Sequence, residues 1–180
     1  MSVPRDFHAD LAMSEQPDVV AAVKAAIKAR FPEVLNIAQA HKQNDILGAD
    51  YWLEFQGCKM ETLDTKIRKL DYSLRGDKRI ACLELVANTT TGQTGWTLDP
   101  AKRTDWVMFF YCETGSSVFY NARELRAAVL AYLPQLKTKG KASTQRTGNY
   151  ESKSLFVSHR ELWAAIYHNA AINNDNAIAA

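Results

Sequence analysis

Two strand-like runs separated by a short turn constrain the fold of this chain more than any other feature. Residues 50–55 are rich in aromatic side chains, and residues 59–68 follow after a three-residue connection that contains Gly57. Such a glycine-containing connection between two strand-like runs is typical of a β-hairpin. Because the length of the turn sets the register, the pattern predicts that Asp50 lies opposite Asp64.

The predicted hairpin brings charges of both signs to one end. Side chains alternate between faces along a strand, so Asp64 and Lys66 share a face. Directly opposite residues also share a face, with Cβ atoms about 4.5–5.5 Å apart, which adds Asp50 to the group. Two neighbouring carboxylates repel each other unless a cation is close. Mg²⁺ is bound by one or two carboxylates together with water and phosphate oxygens, and a lysine beside it can orient water or neutralise a phosphate.

Elements on both sides of the hairpin predict a mixed α and β fold. Apolar residues recur every three or four positions over 14–30 and again over 122–133, which indicates two helices. Nearly continuous apolar runs are typical of buried strands. Strands are predicted at 79–87, 104–112 and 117–120, loops at 71–78 and 88–95, and either a strand or a helix at 34–40. The expected fold class is α/β or α+β, with a mixed central sheet flanked by helices.

The last quarter of the chain differs from the rest in charge. Residues 137–160 contain six Lys or Arg against one acid, although the whole chain has a net charge of only +2. Their glycine and serine content predicts a mobile basic loop, followed by a short strand at 155–157 and a helix at 158–169. Residues 173–180 are expected to be frayed. We therefore divide the chain into a core at 1–136 and a basic loop with a strand and a helix at 137–180, packed on the same domain.

Composition excludes several classes of protein. The chain has 180 residues, and no apolar run approaches the roughly 18–20 residues of a membrane span. The N-terminus lacks the apolar stretch of a secretory signal. The three cysteines form no CxxC pair, so reduced core thiols in a cytoplasmic protein are expected. The chain also lacks the spacing of a zinc site, of a nucleotide-binding P-loop, or of a Cys or Ser nucleophile with its base.

The arrangement resembles the PD-(D/E)XK nuclease superfamily, which pairs an acid at the start of one strand with an acid-x-lysine motif on the next. Here the match is Asp50 with Asp64-Thr65-Lys66, and the elements of residues 14–133 follow in the order of that family. Ala49 stands where the family name has proline. Further similarities to small phage or plasmid members are Phe7-x-x-Asp10-Leu11, Glu84-Leu85, Gly95-Trp96 and Thr104-Asp105-Trp106-Val107.

The resemblance implies a restriction-endonuclease-like core and an endonuclease that hydrolyses phosphodiester bonds in DNA with Mg²⁺ or Mn²⁺. It implies that Asp50, Asp64 and the backbone carbonyl of Thr65 are metal ligands and that Lys66 is the catalytic lysine. Members of the family often add an acid from the first helix. The candidates for a further acid are Asp18, Glu15 and Glu84.

Simpler interpretations stay open for these residues. The acids and the lysine of the hairpin can form a solvated cross-strand salt bridge. Asp18 suits a helix N-terminus, where the macrodipole favours an acid, and Glu84 in an apolar strand needs either a metal or a buried base. The alternative function is a catalytically inactive module of the same fold that binds nucleic acid or a protein partner.

Basic residues outside the motif are candidates for contact with the phosphate backbone, which carries affinity rather than sequence information. The candidates are Arg68, Lys69, Lys102, Arg103, Lys137, Lys139 and Lys141. The expected partner is DNA, and a homodimer is a further candidate assembly for a nuclease that cuts both strands. No nucleotide cofactor and no membrane partner are expected.

Overall fold

The structure, a computed structural model, describes residues 12–40, 48–71, 73, 79–147 and 150–178. In chain order its elements are α1 (Pro17–Arg30), β1 (Asn36–Gln39), β2 (Tyr51–Glu54), β3 (Met60–Arg68), β4 (Ile80–Asn88), β5 (Gln93–Thr94), β6 (Trp106–Tyr111), β7 (Ser116–Asn121), α2 (Ala122–Lys139), β8 (Lys141–Thr147), β9 (Tyr150–Ser158) and α3 (His159–Ile178). The chain divides into two compact units, one from residues 6–71 and 100–120 and the other from 72–99 and 121–180.

The hairpin unit, residues 6–71 and 100–120, holds a five-stranded sheet in the order β1-β2-β3-β6-β7. β2 and β3 are antiparallel with Tyr51 opposite Leu63, so the predicted register is confirmed. A 3₁₀ turn at Gln56–Cys58 joins them, and Gly57 adopts the positive φ of 73° that favours glycine there. β3 and β6 are parallel, which makes this sheet mixed.

The core of the hairpin unit lies between α1 and the sheet. Val19, Val23 and Ile27 are spaced by four residues and form one buried helix face. They pack in one cluster with strand residues that include Leu53 and Leu63. The helix begins with Pro17 in its first turn and ends at Arg30, as predicted.

The second unit, residues 72–99 and 121–180, has a separate four-stranded sheet in the order β5-β4-β9-β8. The mixed sheet of the hairpin unit does not include the apolar run that forms β4: this run was predicted as a buried central strand, but it pairs with β5 and β9. Hydrophobicity alone identifies a buried strand but not its neighbours. The loop predicted at 88–95 contains the short β5, and most of the one at 71–78 lies outside the described residues.

The basic segment is not a loop. β8 and β9 pair as an antiparallel hairpin, with Lys141 opposite Phe156 and Arg146 opposite Glu151. The prediction of a mobile loop at 137–160 is wrong because the backbone hydrogen bonds of β9 order this polar sequence. The division into units also departs from the boundary placed at residue 136.

Both helices of the second unit run further than predicted. α2 continues to Lys139 through Pro134, with a kink at Tyr132, because Leu136 is still buried in the core. α3 begins with a Ser158 and Glu161 capping pair, in which the Glu161 N–H donates to Ser158 Oγ, and it extends to Ile178. No helix in the described part of the chain is both long and apolar enough to cross a membrane.

The three cysteines are free thiols in different surroundings. Cys82 is buried and Cys112 is half-buried, in keeping with core thiols. Cys58 is exposed at the end of the 3₁₀ turn. The prediction of a core thiol is therefore wrong for Cys58, because the residue lies in the hairpin turn rather than in a strand.

Candidate active site

The end of the β2–β3 hairpin brings the three motif residues together. Asp64 lies in β3 and is only 5% exposed. The ammonium of Lys66, two residues along the same strand, donates to both of its carboxylate oxygens, at 2.8 Å to Oδ1 and 2.7 Å to Oδ2. Asp50 directly precedes β2, and its N–H donates to the carbonyl of Leu63 at 2.9 Å. The two acids and the lysine thus share one end of the hairpin.

The carboxylate of Asp50 is held by the backbone of β3. Its Oδ2 accepts from the Thr65 N–H at 2.7 Å and from the Thr65 hydroxyl at 2.5 Å. This carboxylate, which directly precedes β2, thus satisfies a backbone N–H of β3. Within the described part of the chain, both of these bonds use Oδ2, and Oδ1 has no hydrogen-bond partner. The role predicted for the Thr65 carbonyl stays a prediction.

Burial and mutual repulsion shift the protonation of the site. The pKa of Asp64 is raised to about 6, mainly by burial and also by the charge of Asp50, while the charges of Lys66 and Lys102 oppose this rise. Burial by itself lowers the pKa of Lys66, but Asp64 and Asp50 outweigh it and hold that pKa above its ordinary value. The lysine is therefore an ammonium at neutral pH, and it lies beside the carboxyl group of Asp64.

Two of the predicted basic residues lie near this cluster. Lys102 contributes to the potential at Asp64. Arg68, at the end of β3, acts on Lys66 and lowers its pKa slightly. Lys69 and Arg103 are exposed.

The other predicted acids lie on or beside other elements of the chain. Asp18 is exposed in the first turn of α1, and its charge acts on the thiol of Cys112, whose pKa is raised mainly by burial. Glu15 is exposed before that helix. Glu84 lies on β4 in the second unit, and its Oε2 accepts from the backbone N–H of Trp96 at 3.5 Å. In the described ranges, no group of three or more His, Cys, Asp or Glu side chains is placed to hold a metal.

Two further features of the resemblance fall in different parts of the chain. Phe7-x-x-Asp10-Leu11 lies outside the described residues. Gly95 packs so closely on β4 that a Cβ there would lie 2.3 Å from the carbonyl oxygen of Glu84, which accounts for a glycine at that position. The predicted phosphate contacts Lys137, Lys139 and Lys141 are all exposed at the junction of α2 and β8 in the second unit.

A clamp between β3 and the start of β6 was missed by the sequence analysis. The carboxylate of Asp105 accepts from the Thr62 N–H at 2.8 Å and from the Thr62 hydroxyl at 2.9 Å. The Asp105 N–H in turn donates to the Thr62 hydroxyl at 3.1 Å. These bonds fix the parallel strand pair two residues from Asp64. The Thr-Asp-Trp sequence was noted only as a similarity to other proteins, because a contact across 43 positions leaves no local signal.

The turn end of the same hairpin carries a groove of about 540 Å³. Its floor is aromatic and apolar, and Lys59 and Glu61 form an ion pair of 2.6 Å at its rim. The Trp106 indole N–H donates to Glu61 at 2.7 Å. The groove and the acidic cluster thus occupy opposite ends of β2 and β3.

Comparison of the chain with protein-family models, with curated proteins and with solved structures found no match.

Proposed function

We propose that this chain is a metal-dependent endonuclease that hydrolyses phosphodiester bonds in DNA. The single observation that carries the proposal is the cluster of Asp50, Asp64 and Lys66 at the end of the β2–β3 hairpin. A largely buried carboxylate beside a second one is costly, and a surface salt bridge would not need either to be buried. Such an arrangement of buried ionisable groups is typical of catalytic and ligand-binding sites.

The donor set fits a divalent ion. Asp50 offers an oxygen that has no hydrogen-bond partner among the described residues, and Asp64 offers two oxygens that bind the Lys66 ammonium. Two carboxylates match the small number of protein ligands that Mg²⁺ takes beside water and phosphate oxygens. A bound Mg²⁺ would polarise the phosphoryl group and lower the pKa of a coordinated water. A metal bound to Asp64 would compete with the Lys66 ammonium, which bonds both carboxylate oxygens.

Released from Asp64, the Lys66 ammonium has two uses in hydrolysis. It can orient the attacking water, or it can donate to the phosphate oxygens as negative charge develops on them. Its raised pKa keeps it protonated at neutral pH, which favours these roles over that of a base. Asp50 is held in place by the two hydrogen bonds from Thr65 to its Oδ2.

The order of elements supports the same proposal within the hairpin unit. A helix precedes three consecutive antiparallel strands, and β3 then pairs in parallel with a later strand. Between β3 and β6, the described residues form β4 and β5, which belong to the second unit. The support from topology is therefore limited to α1 and the five-stranded sheet.

The second part of the proposal is that the exposed lysines at the junction of α2 and β8 contact the DNA backbone. Residues 137–160 carry five net positive charges, so the rest of the chain carries three net negative ones. Charges that are exposed and like-signed attract the DNA backbone without reading its sequence.

A second candidate function is a non-catalytic module that binds nucleic acid. The observation that favours it is the bidentate ion pair of Lys66 with Asp64, which satisfies both groups without a metal.

A cleavage panel distinguishes the two. Supercoiled, linear, single-stranded and branched DNA, and RNA, are incubated with the protein in Mg²⁺, Mn²⁺ or EDTA. We expect metal-dependent cleavage of DNA by the wild type and by Glu151→Gln, a control at an exposed residue of β9, and no cleavage by Asp64→Asn. Equal cleavage by a folded Asp64→Asn protein would exclude this site, and DNA binding without any cleavage would favour the module.

A further inference from the structure

Lys102 reaches the motif from the segment that precedes β6. Its stem packs against Gly48, which is buried two residues before Asp50. A Cβ at Gly48 would lie 3.0 Å from Lys102 Cδ, and the φ of Gly48 is +82°. Both the space and the backbone conformation therefore favour glycine at this position. The contact lays the lysine stem along the backbone that leads into the acid.

The backbone around Lys102 is fixed rather than loose. Three residues later, Asp105 is bonded to Thr62 of β3 in both directions. The carbonyl of Arg103 also accepts from the Thr62 hydroxyl at 3.3 Å. The segment is thus tied to the strand that carries Asp64 and Lys66, and Lys102 is half-buried while Arg103 is exposed.

Lys102 thus packs on Gly48, two residues before Asp50, and its neighbour Arg103 is bonded to Thr62, two residues before Asp64. Two carboxylates and two ammonium groups then share the end of the hairpin. A divalent ion added to this set leaves the site with two net positive charges. Such a site suits an anion with more than one negative charge, such as adjacent phosphates of a nucleic-acid strand.

We propose that Lys102, seated on Gly48, binds a backbone phosphate next to the scissile one and so positions the substrate strand. The inference rests on the proposed function, and it assigns Lys102 to substrate positioning and Lys66 to the reacting phosphate. A lysine acts on phosphate as a point charge, so the contact carries affinity and no sequence preference.

The test compares Lys102→Ala and Lys102→Arg with Lys24→Ala, a control on α1. Binding of a short fluorescent DNA duplex is measured in Ca²⁺ at several salt concentrations, and cleavage is measured in Mg²⁺. Loss of one charged contact should raise Kd and KM of Lys102→Ala about 10- to 100-fold. It should also lower the slope of log K against log salt by about 0.9. The kcat value should stay within about threefold of wild type, and Lys102→Arg should restore most of the affinity.

Three results would overturn the inference. They are unchanged Kd and KM in a folded Lys102→Ala protein, a fall in kcat with KM unchanged, or a loss of affinity that Lys24→Ala shares. Failure of the proposed function can be told apart from failure of this inference. If the wild type cleaves no DNA, the binding measurement still tests the contact made by Lys102. A Lys102-dependent Kd without cleavage would keep the phosphate contact and reject the nuclease, whereas absence of DNA binding by the wild type would reject both.

Discussion

The β2–β3 and β8–β9 hairpins both carry lysines and acids, but they hold them in opposite ways. Lys66 of β3 is 22% exposed on its side chain and bonds both oxygens of a buried carboxylate. Lys153 and Arg146 of the second hairpin are exposed, and Glu151 lies opposite Arg146 at the surface. Exposed charges cost little and are common on any strand. Buried charges are costly, so the charged residues of the β2–β3 hairpin need an explanation that those of the β8–β9 hairpin do not.

The largest expected difference between the hairpins is in the effect on kcat of replacing Lys66 of β3 or Lys153 of β9. Lys66→Ala should lower kcat about 10²–10³-fold, the usual effect of removing one stabiliser of transition-state charge. Lys153→Ala, an exposed lysine on β9, should leave kcat unchanged. Single-turnover cleavage in Mg²⁺ measures both. Similar rates for the two variants would mean that Lys66 serves only the ion pair.

The two hairpins should also differ in how pH affects stability. The pKa of Asp64 is about 6 in the folded protein against 3.8 ordinarily, so the folded state binds this proton more tightly than the unfolded chain does. The protonated carboxyl of Asp64 therefore stabilises the folded state below about pH 4. This stabilisation is lost as the pH rises through about 6, which lowers the free energy of unfolding by about 3 kcal/mol.

Urea unfolding in EDTA between pH 4 and 7.5 measures this difference. The loss of stability should be smaller in Asp64→Asn, whose side chain is neutral throughout, than in wild type or in Glu151→Gln. The same pH dependence in all three proteins would show that Asp64 is not the titrating group.

A third contrast concerns the clamp that holds the first hairpin to β6. Asp105→Ala leaves the buried Thr62 N–H without its acceptor, which should lower the free energy of unfolding by about 1–3 kcal/mol. Arg146→Ala removes a charge from the exposed β8 and should change it by less than about 0.5 kcal/mol. Urea titrations of both variants check this ranking. An unchanged free energy of unfolding in Asp105→Ala would show that the clamp does not stabilise the hairpin unit.

The smallest expected effect belongs to the basic end of the second unit. Replacing Lys137, Lys139 and Lys141 with alanine should weaken DNA binding and leave kcat at saturation unchanged. Each lost phosphate contact should remove about 0.9 from the slope of log K against log salt. Affinity is measured at several salt concentrations with the Asp64→Asn protein as background. An unchanged slope would show that these exposed lysines do not touch DNA.

Local patterns were enough to predict the hairpin but not its surroundings. The register between Tyr51 and Leu63 followed from the length of the turn at Gln56–Cys58. The separate sheet of β4 did not follow, because an apolar run does not specify its partners. The strand β8 was missed because its polar residues lack the apolar alternation that indicates a half-buried strand.

The site was predictable to the same extent. Alternation and register placed Asp50, Asp64 and Lys66 at one end of the hairpin. The bonds from Thr65 to Asp50, and the packing of Lys102 on Gly48, depend on where the chain turns outside the strands. Such contacts have no period in the sequence, so only the folded arrangement reveals them.

Metal binding tests the central claim, that the two carboxylates form a site for a divalent ion, most directly. Titration of Mn²⁺ into wild type, Asp64→Asn and Glu151→Gln at pH 7.5, followed by electron paramagnetic resonance, reports binding without any need for a substrate. We expect wild type and Glu151→Gln to bind Mn²⁺ equally and Asp64→Asn to lose binding. Binding should weaken as the pH falls through about 6, because Asp64 must be ionised. Equal Mn²⁺ affinity in wild type and a folded Asp64→Asn protein would show that the two carboxylates do not form a metal site.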